Sequence, residues 1–389
     1  MKKYFGKLCL GGVLLFSLSM SLTSCEDILG EWSRPTPNPV TPGGGGSSTI
    51  AVTGVKLNEA YLRFDKNVLT AQTLTATVSP ADATDKTVSW TTSNDAVATV
   101  DASGNVTPVG PGKATITANA NDGSGMKATS TVIVYDKIHD INTEGYADVT
   151  TGESWLIKGN ATTPEPNSIN IGDGASATLL DVYITQPITC SATATIILAD
   201  GSTNTVDASN INDNAAIKVG GAGKTLTIDA ETAGTGQLTA KGGYGAAGIG
   251  TNKNGTGGNI VIKGGTVIAT GGQYGAGIGT GNALMSPNTN TCGDIRINGG
   301  TVTATGGEYA AGIGTGWAIT VTNECGAIKI DTGVTSVTAK KSSSNPGPNS
   351  IGKGNGESGI QKCGTITIGG DATTYAAGVT TSPFTYPVP

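Results

Sequence analysis

What this 389-residue chain has little of narrows its possibilities. Aromatic residues are 5% of it and charged residues 13%, so any core must be built from small aliphatic side chains. There are three arginines, Arg34, Arg63 and Arg296, in a chain of net charge −6. Phosphate contacts need clustered Lys and Arg, so nucleic acid is excluded as a partner. The one histidine, His139, has no obvious partner. No Gly-x-Ser-x-Gly, His-Glu-x-x-His or phosphate-loop motif is present, which leaves the common hydrolytic and nucleotide chemistries without residues. No cysteine falls between positions 26 and 189, so no disulfide lies within that stretch. No repeated phrase has helical spacing.

Glycine, by contrast, is abundant at 60 residues, and it is ordered into a repeat. Gly242-Gly-Tyr-Gly-Ala-Ala-Gly-Ile-Gly-Thr251 returns as Gly271-Gly-Gln-Tyr-Gly-Ala-Gly-Ile-Gly-Thr280 and as Gly306-Gly-Glu-Tyr-Ala-Ala-Gly-Ile-Gly-Thr315. Strand-like phrases precede each copy: Gln237-Leu-Thr-Ala-Lys241, Thr266-Val-Ile-Ala-Thr270 and Thr301-Val-Thr-Ala-Thr305. A further phrase ends on Ile228, Ile262, Ile297, Ile330 and Ile368. A recurrence of roughly 20–50 residues signals a solenoid. Period-two alternation places the isoleucines on one face and Val261, Arg296, Lys329 and Thr367 on the other. Three short strands per coil, joined at glycine corners that supply positive φ, predict a right-handed parallel β-helix. Each coil shares its apolar face with its neighbours. An array of β-hairpins is disfavoured, because Asn-Gly or Asp-Gly turns should then recur every 8–12 residues or so.

The first 24 residues read as a leader. Lys2 and Lys3 are followed by an apolar run from Leu8 to Leu22, too short for a membrane span. It ends in Leu22-Thr-Ser-Cys25, which resembles the lipobox of bacterial lipoproteins. The resemblance implies cleavage before Cys25 and its lipidation, with the acyl chains anchoring the protein in the outer membrane. Glu26 and Asp27 resemble a surface-export signal. Removal of the leader leaves 20 basic residues against 29 acidic ones. Positions 25–49 form a tether, stiff in its Pro part and loose in its Gly part.

From 50 to 135, short alternating strands are separated by turn clusters at Pro80-Ala-Asp-Ala-Thr-Asp, Asp101-Ala-Ser-Gly-Asn and Gly110-Pro-Gly, the rhythm of a β-sandwich. Val88-Ser-Trp-Thr-Thr-Ser-Asn, Val97-Ala-Thr-Val-Asp and Gly112-Lys-Ala-Thr-Ile-Thr-Ala closely resemble the bacterial Ig-like domain of group 2. That family serves as spacer and adhesive modules on bacterial surfaces. Trp90 is expected in its core.

Positions 136–389 are assigned to the β-helix and a C-terminal cap containing Tyr375, Phe384 and Tyr386. Trp155-Leu-Ile-Lys, Ser168-Ile-Asn-Ile and Leu179-Leu-Asp-Val-Tyr-Ile look like early coils. The stretch from about 165 to 370 resembles β-helical carbohydrate-binding domains of bacterial surface proteins. Cys292, Cys325 and Cys363 open the same phrase and should stack as a column of buried thiols, a disulfide being the lesser alternative; Cys190 stands apart. Tyr244, Tyr274 and Tyr309 recur once per coil, and Trp317 follows the third copy. They read either as a platform for sugar rings or as filling for a wide corner. The outward Thr266, Thr270, Thr301, Thr303 and Thr305 are open to the same two readings. Asp207 and Asp213, with Asn210, Asn212 and Asn214, gather oxygen ligands that would suit Ca2+, although a plain turn explains them more simply. Asp294 and Arg296 are adjacent in one coil, but the neighbouring coils do not repeat the pair. A lyase site needs about three convergent carboxylates.

These readings predict a monomeric, non-catalytic surface lipoprotein that binds carbohydrate through its β-helix, with the Ig-like domain as spacer. An adhesin or stalk binding protein is the alternative, and a polysaccharide lyase or hydrolase a more remote one.

Overall fold

The computed structural model describes residues 48–284, 289–342 and 347–387. The expected leader, Cys25 and all but the end of the expected tether lie outside them. Among the described residues every regular element is a β-strand.

Residues 51–135 form the sandwich. One sheet runs in the order Tyr61–Asp65, Lys127–Tyr135, Gly112–Ala120, Val88–Thr92. The second contains Gln72–Thr73, Asn105–Pro108 and Ala98–Val100. Inward residues of both meet in one cluster: Leu62, Phe64, Ile116 and Val132 from the first, Ala98 and Val106 from the second. Trp90 packs against this cluster while partly exposed.

The sheet system changes at Asp136. From Lys137–Asp140 onward, parallel strands stack coil on coil. The first sheet has nine strands, ending with Thr225–Ala230, Asn259–Ile262, Ile295–Ile297, Ile328–Ile330 and Ile366–Ile368. Ile228, Ile262, Ile297, Ile330 and Ile368 are paired in register in one inner file, and all are buried. Arg296 and Lys329, their neighbours, point outward. A second sheet of eight strands carries the Ile-Gly of each decamer. A third carries Gln237–Lys241, Thr266–Thr270, Thr301–Thr305 and Ser336–Lys340.

The coils are not uniform. Early ones are short: Lys137 pairs with Trp155 and Ala175 with Ala194, whereas Ile260 pairs with Ile295. Trp155–Ile157 and Leu179 lie on successive rungs of the first sheet, but Ile169–Ile171 is the second-sheet strand of the coil that Trp155 begins. Late coils have four strands rather than the three expected, because Asn290–Cys292, Asn323–Cys325 and Gln361–Cys363 make a sheet of their own. Phe384–Tyr386 closes the third sheet antiparallel to Ser336–Lys340, and Phe384, with Tyr375 and Tyr386, packs on the last of the core.

Glycine works here mainly through close approach. A Cβ on Gly272 would collide with the carbonyl of Gly243 one coil away, and one on Gly307 with that of Gly272. The repeated Gly-Gly therefore lets successive corners nest. It is only later in each corner that the backbone turns left-handed.

The sandwich is fixed to the β-helix by polar contacts. Arg63 Nη2 donates to Glu231 Oε2 at 2.5 Å, Tyr61 Oη to Asp200 Oδ2 at 2.5 Å and Lys66 Nζ to Asp136 Oδ1 at 2.7 Å.

Candidate functional site

The site is built on one corner repeated through four rungs. Asp213, Gly245, Tyr274 and Tyr309 occupy equivalent positions, and all are left-handed, with φ of 64°, 76°, 72° and 61°. Glycine adopts this conformation freely. Other residues are held there at about 1–3 kcal/mol, usually where function requires it. The carbonyl of each accepts an amide N–H from the next coil: Lys253 to Asp213 at 3.1 Å, Asn282 to Gly245 at 2.7 Å, Trp317 to Tyr274 at 2.9 Å and Asn355 to Tyr309 at 2.7 Å. These residues therefore form two adjacent files running from coil to coil.

This register explains the displaced tyrosine of the first decamer. Gly245, not Tyr244, holds its left-handed position, so Tyr244 stands one place to the side and is 42% exposed. The rings still meet. Tyr274 lies edge-on to Tyr244 at 5.7 Å, stacks with Tyr309 at 6.2 Å and tilts against Trp317 at 4.7 Å; Trp317 and Tyr309 are 6.1 Å apart. Tyr274, Tyr309 and Trp317 line an open cleft of about 540 Å³ with Glu308, Asn355, Gly356 and Glu357. Gln273 Nε2 donates to Tyr274 Oη at 3.1 Å and to Glu308 Oε2 at 2.9 Å. Burial, then the Glu308 carboxylate, pushes the Tyr274 phenol above its ordinary range.

A buried polar ladder supports the cleft from behind. Thr251 Oγ1 donates to Asn290 Oδ1 at 2.9 Å, Thr280 Oγ1 to Asn323 Oδ1 at 2.6 Å and Thr315 Oγ1 to Gln361 Oε1 at 2.7 Å. The same hydroxyls accept the amides of Gly281, Gly316 and Gly354. Asn323 Nδ2 also reaches the carbonyls of Gly281 and Trp317. Each backbone turn that presents a groove residue is thus pinned to the coil before it. Sequence reasoning missed Glu308, Asn355, Glu357 and this ladder. The threonine ending each decamer and the Asn-x-Cys phrase were the available signals.

Other candidates are not assembled into a site. Asp207 and Asp213 are each taken by a lysine, Lys241 Nζ at 2.7 Å and Lys253 Nζ at 3.0 Å. Asp207 also holds Ser209. Among the described residues no cluster of three or more His, Cys, Asp or Glu could hold a metal. His139 does have partners: it is buried beside Trp155, 3.3 Å from Glu144 and 3.0 Å from the Gly145 carbonyl. Asp294 and Arg296 form an exposed pair at 3.1 Å. The outward threonines are half-buried along the third sheet, interrupted by the exposed Ile268.

Cys292, Cys325 and Cys363 do form a column, in register and as free thiols. Cys325 and Cys363 are in hydrogen-bond contact at 2.9 Å. Burial pushes the Cys190 and Cys292 thiols up to about 12. The hydrogen bond between them raises Cys325 and lowers Cys363.

Comparison with known proteins agrees with this architecture. Residues 51–132 match the family model of the bacterial Ig-like domain (group 2), and residues 260–282 and 295–317 match the beta helix repeat. An uncharacterised protein of Clostridium acetobutylicum is 36% identical over 85 residues, 22% of this chain and 21% of its own. Lacto-N-biosidase of Bifidobacterium bifidum is 38% identical over 104 residues, 27% of this chain and 9% of its own. Alpha-L-arabinofuranosidase of Bifidobacterium longum subsp. longum is 46% identical over 85 residues, 22% of this chain and 8% of its own. The chain thus spans about a fifth or less of these relatives. Residues 51–132 are a group 2 bacterial Ig-like domain, and the coils bearing Tyr274 and Trp317 are β-helix repeats.

Proposed function

We propose that the chain is a non-catalytic carbohydrate-binding protein whose binding surface is the Tyr274–Tyr309–Trp317 cleft. One observation carries this reading. Two successive coils hold a tyrosine in a left-handed conformation where the coil before them has Gly245, so backbone energy is committed to placing rings over an open cleft. Sugar rings stack their C–H faces on aromatics, while the hydroxyls find Asn355, Glu308 and Glu357 at the rim. Two of the relatives carry glycosidase names, which supports a glycan setting. Two carboxylates at the rim fall short of the three or so that a lyase needs. In this reading Cys25 is the lipidated anchor and the protein stands on the bacterial surface, with the Ig-like domain as spacer.

Isothermal titration of the full chain against soluble polysaccharides is the test. Binding to one or more, lost by about tenfold or more in Tyr274→Gly with Tyr309→Gly and accompanied by no release of reducing or unsaturated ends, supports the reading. Unchanged affinity in that double variant would sink it.

A further inference from the structure

The four rungs share one backbone design but pair different side chains. On the first rung the pair is ionic. Lys253 Nζ lies 3.0 Å from Asp213 Oδ1 and 5.9 Å from the centre of the Tyr244 ring, so an ammonium is held between a carboxylate and an aromatic face. The cleft on the later rungs offers the same two kinds of partner. Its aromatic faces are Tyr274, Tyr309 and Trp317, and its carboxylates are Glu308 and Glu357. No lysine or arginine lines it among the described residues. Trp317 and Asn355 stand where Lys253 stands on the first rung, as their hydrogen bonds to Tyr274 and Tyr309 establish. The cleft therefore has the same kinds of partner, aromatic faces and carboxylates, with no cationic side chain among its described lining residues.

We propose, building on the carbohydrate reading above, that this cleft selects an amine-bearing sugar, a glucosamine-type residue whose protonated amine takes the role that Lys253 plays on the first rung. A cation over aromatic rings is attracted by their quadrupoles, and most strongly when partly desolvated. Glu308, oriented by Gln273 at 2.9 Å, and Glu357 supply the counter-charge. The same carboxylates repel uronates and sulfated sugars. An N-acetylated residue keeps the stacking face and the hydroxyls but loses the charge, so it binds without the ionic contribution.

The experiment compares three oligomers by calorimetry on the full chain at mildly acidic pH: glucosamine, N-acetylglucosamine and galacturonate. The glucosamine oligomer is expected to bind about tenfold tighter than the acetylated one, and the galacturonate oligomer not at all. Glu308→Gln with Glu357→Gln is expected to erase that preference, bringing the affinity for the glucosamine oligomer to that for the acetylated one. Equal affinity for the amine and the acetamide overturns the proposal while leaving carbohydrate binding intact. A preference that survives the double Gln variant also overturns it, because the chain's overall negative charge is then the cause. Loss of nothing on either ligand in Tyr274→Gly with Tyr309→Gly overturns the carbohydrate reading itself.

Discussion

The carbonyl of Tyr274 accepts the amide of Trp317 at 2.9 Å, and the two rings lie 4.7 Å apart. Backbone and side chain are coupled at this point. The left-handed turn that aims Tyr274 also sets the rung on which Trp317 sits, so ring placement is decided by a conformation that tyrosine does not favour.

That coupling separates binding from packing. Tyr274→Gly removes a ring but relieves a strained backbone of about 1–3 kcal/mol, so the melting temperature should hold steady or rise. Tyr274→Ala removes the ring and keeps the strain, so it should melt lower than the glycine variant. Calorimetric melting of both is the check. A large drop in Tyr274→Gly would mean the ring contributes chiefly to packing.

Much of this was legible in the sequence, for a physical reason. Coils stack in register, so equal positions share equal environments, and the inner file from Ile228 to Ile368 could be read directly. The three tyrosines and Trp317 were visible as a recurrence. Glu308 was not, because it occupies the place of Tyr244 and Gln273 and has no counterpart of its own kind. Asn355 and Glu357 lie beyond a corner whose spacing differs from the earlier ones, so no repeat announced them. The fourth strand was hidden because Asn-x-Cys is too short to show alternation. The hydrogen-bonding and ionic partners of His139 lie within six residues, but in a turn whose geometry the residue types do not specify.

The junction between sandwich and β-helix should depend on one ion pair. The Glu231 side chain is 4% exposed and that of Arg63 20%, and Glu231 Oε2 also accepts the Asp200 amide at 3.0 Å. Arg63→Ala leaves a buried carboxylate without its cation, which costs about 3–5 kcal/mol. Denaturant unfolding should register that loss. A variant within about 0.5 kcal/mol of the wild type would show that the junction does not need the pair.

Acid should loosen the same junction. Burial alone would raise Asp200 and Asp136. Hydrogen bonds outweigh it, from Tyr61 and the Ala233 and Thr232 amides to Asp200, and from Lys66 and the Ser154 amide to Asp136, and both carboxyls end below the ordinary carboxylate range. A carboxylate depressed in the folded state contributes stability that is present above its unfolded range. That stability is lost as pH falls through the folded value. Melting temperature should therefore be level above about pH 5 and fall below it, with Asp200→Asn less stable at neutral pH and flatter in its acid limb.

The thiol column predicts selective chemistry. A thiolate is the reactive form, and of the four β-helix cysteines only Cys363 is lowered, while Cys190, Cys292 and Cys325 are raised and buried. Alkylation of the folded chain under mild conditions, read by peptide mass spectrometry, should modify Cys363 well before the other three. Equal labelling of Cys292 would show that the column is open to solvent.

The buried ladder yields the sharpest test of how the cleft is held. Thr280 Oγ1 donates to Asn323 Oδ1 at 2.6 Å and accepts the Gly316 amide at 2.9 Å, and Gly316 is the residue before Trp317. Thr280→Val keeps the shape of the side chain and deletes both bonds, leaving a buried N–H and a buried carbonyl unpaired. The loss should be on the order of 3 kcal/mol. Because Asn323 Nδ2 also holds the Trp317 carbonyl, the turn presenting that ring loses its support, and ligand affinity should fall although no cleft residue has changed. Thr280→Ser restores the hydroxyl and should recover both stability and binding. If Thr280→Val binds as tightly as the wild type at a temperature where it remains folded, the ladder serves the coil stack alone and the cleft is shaped by its own rings.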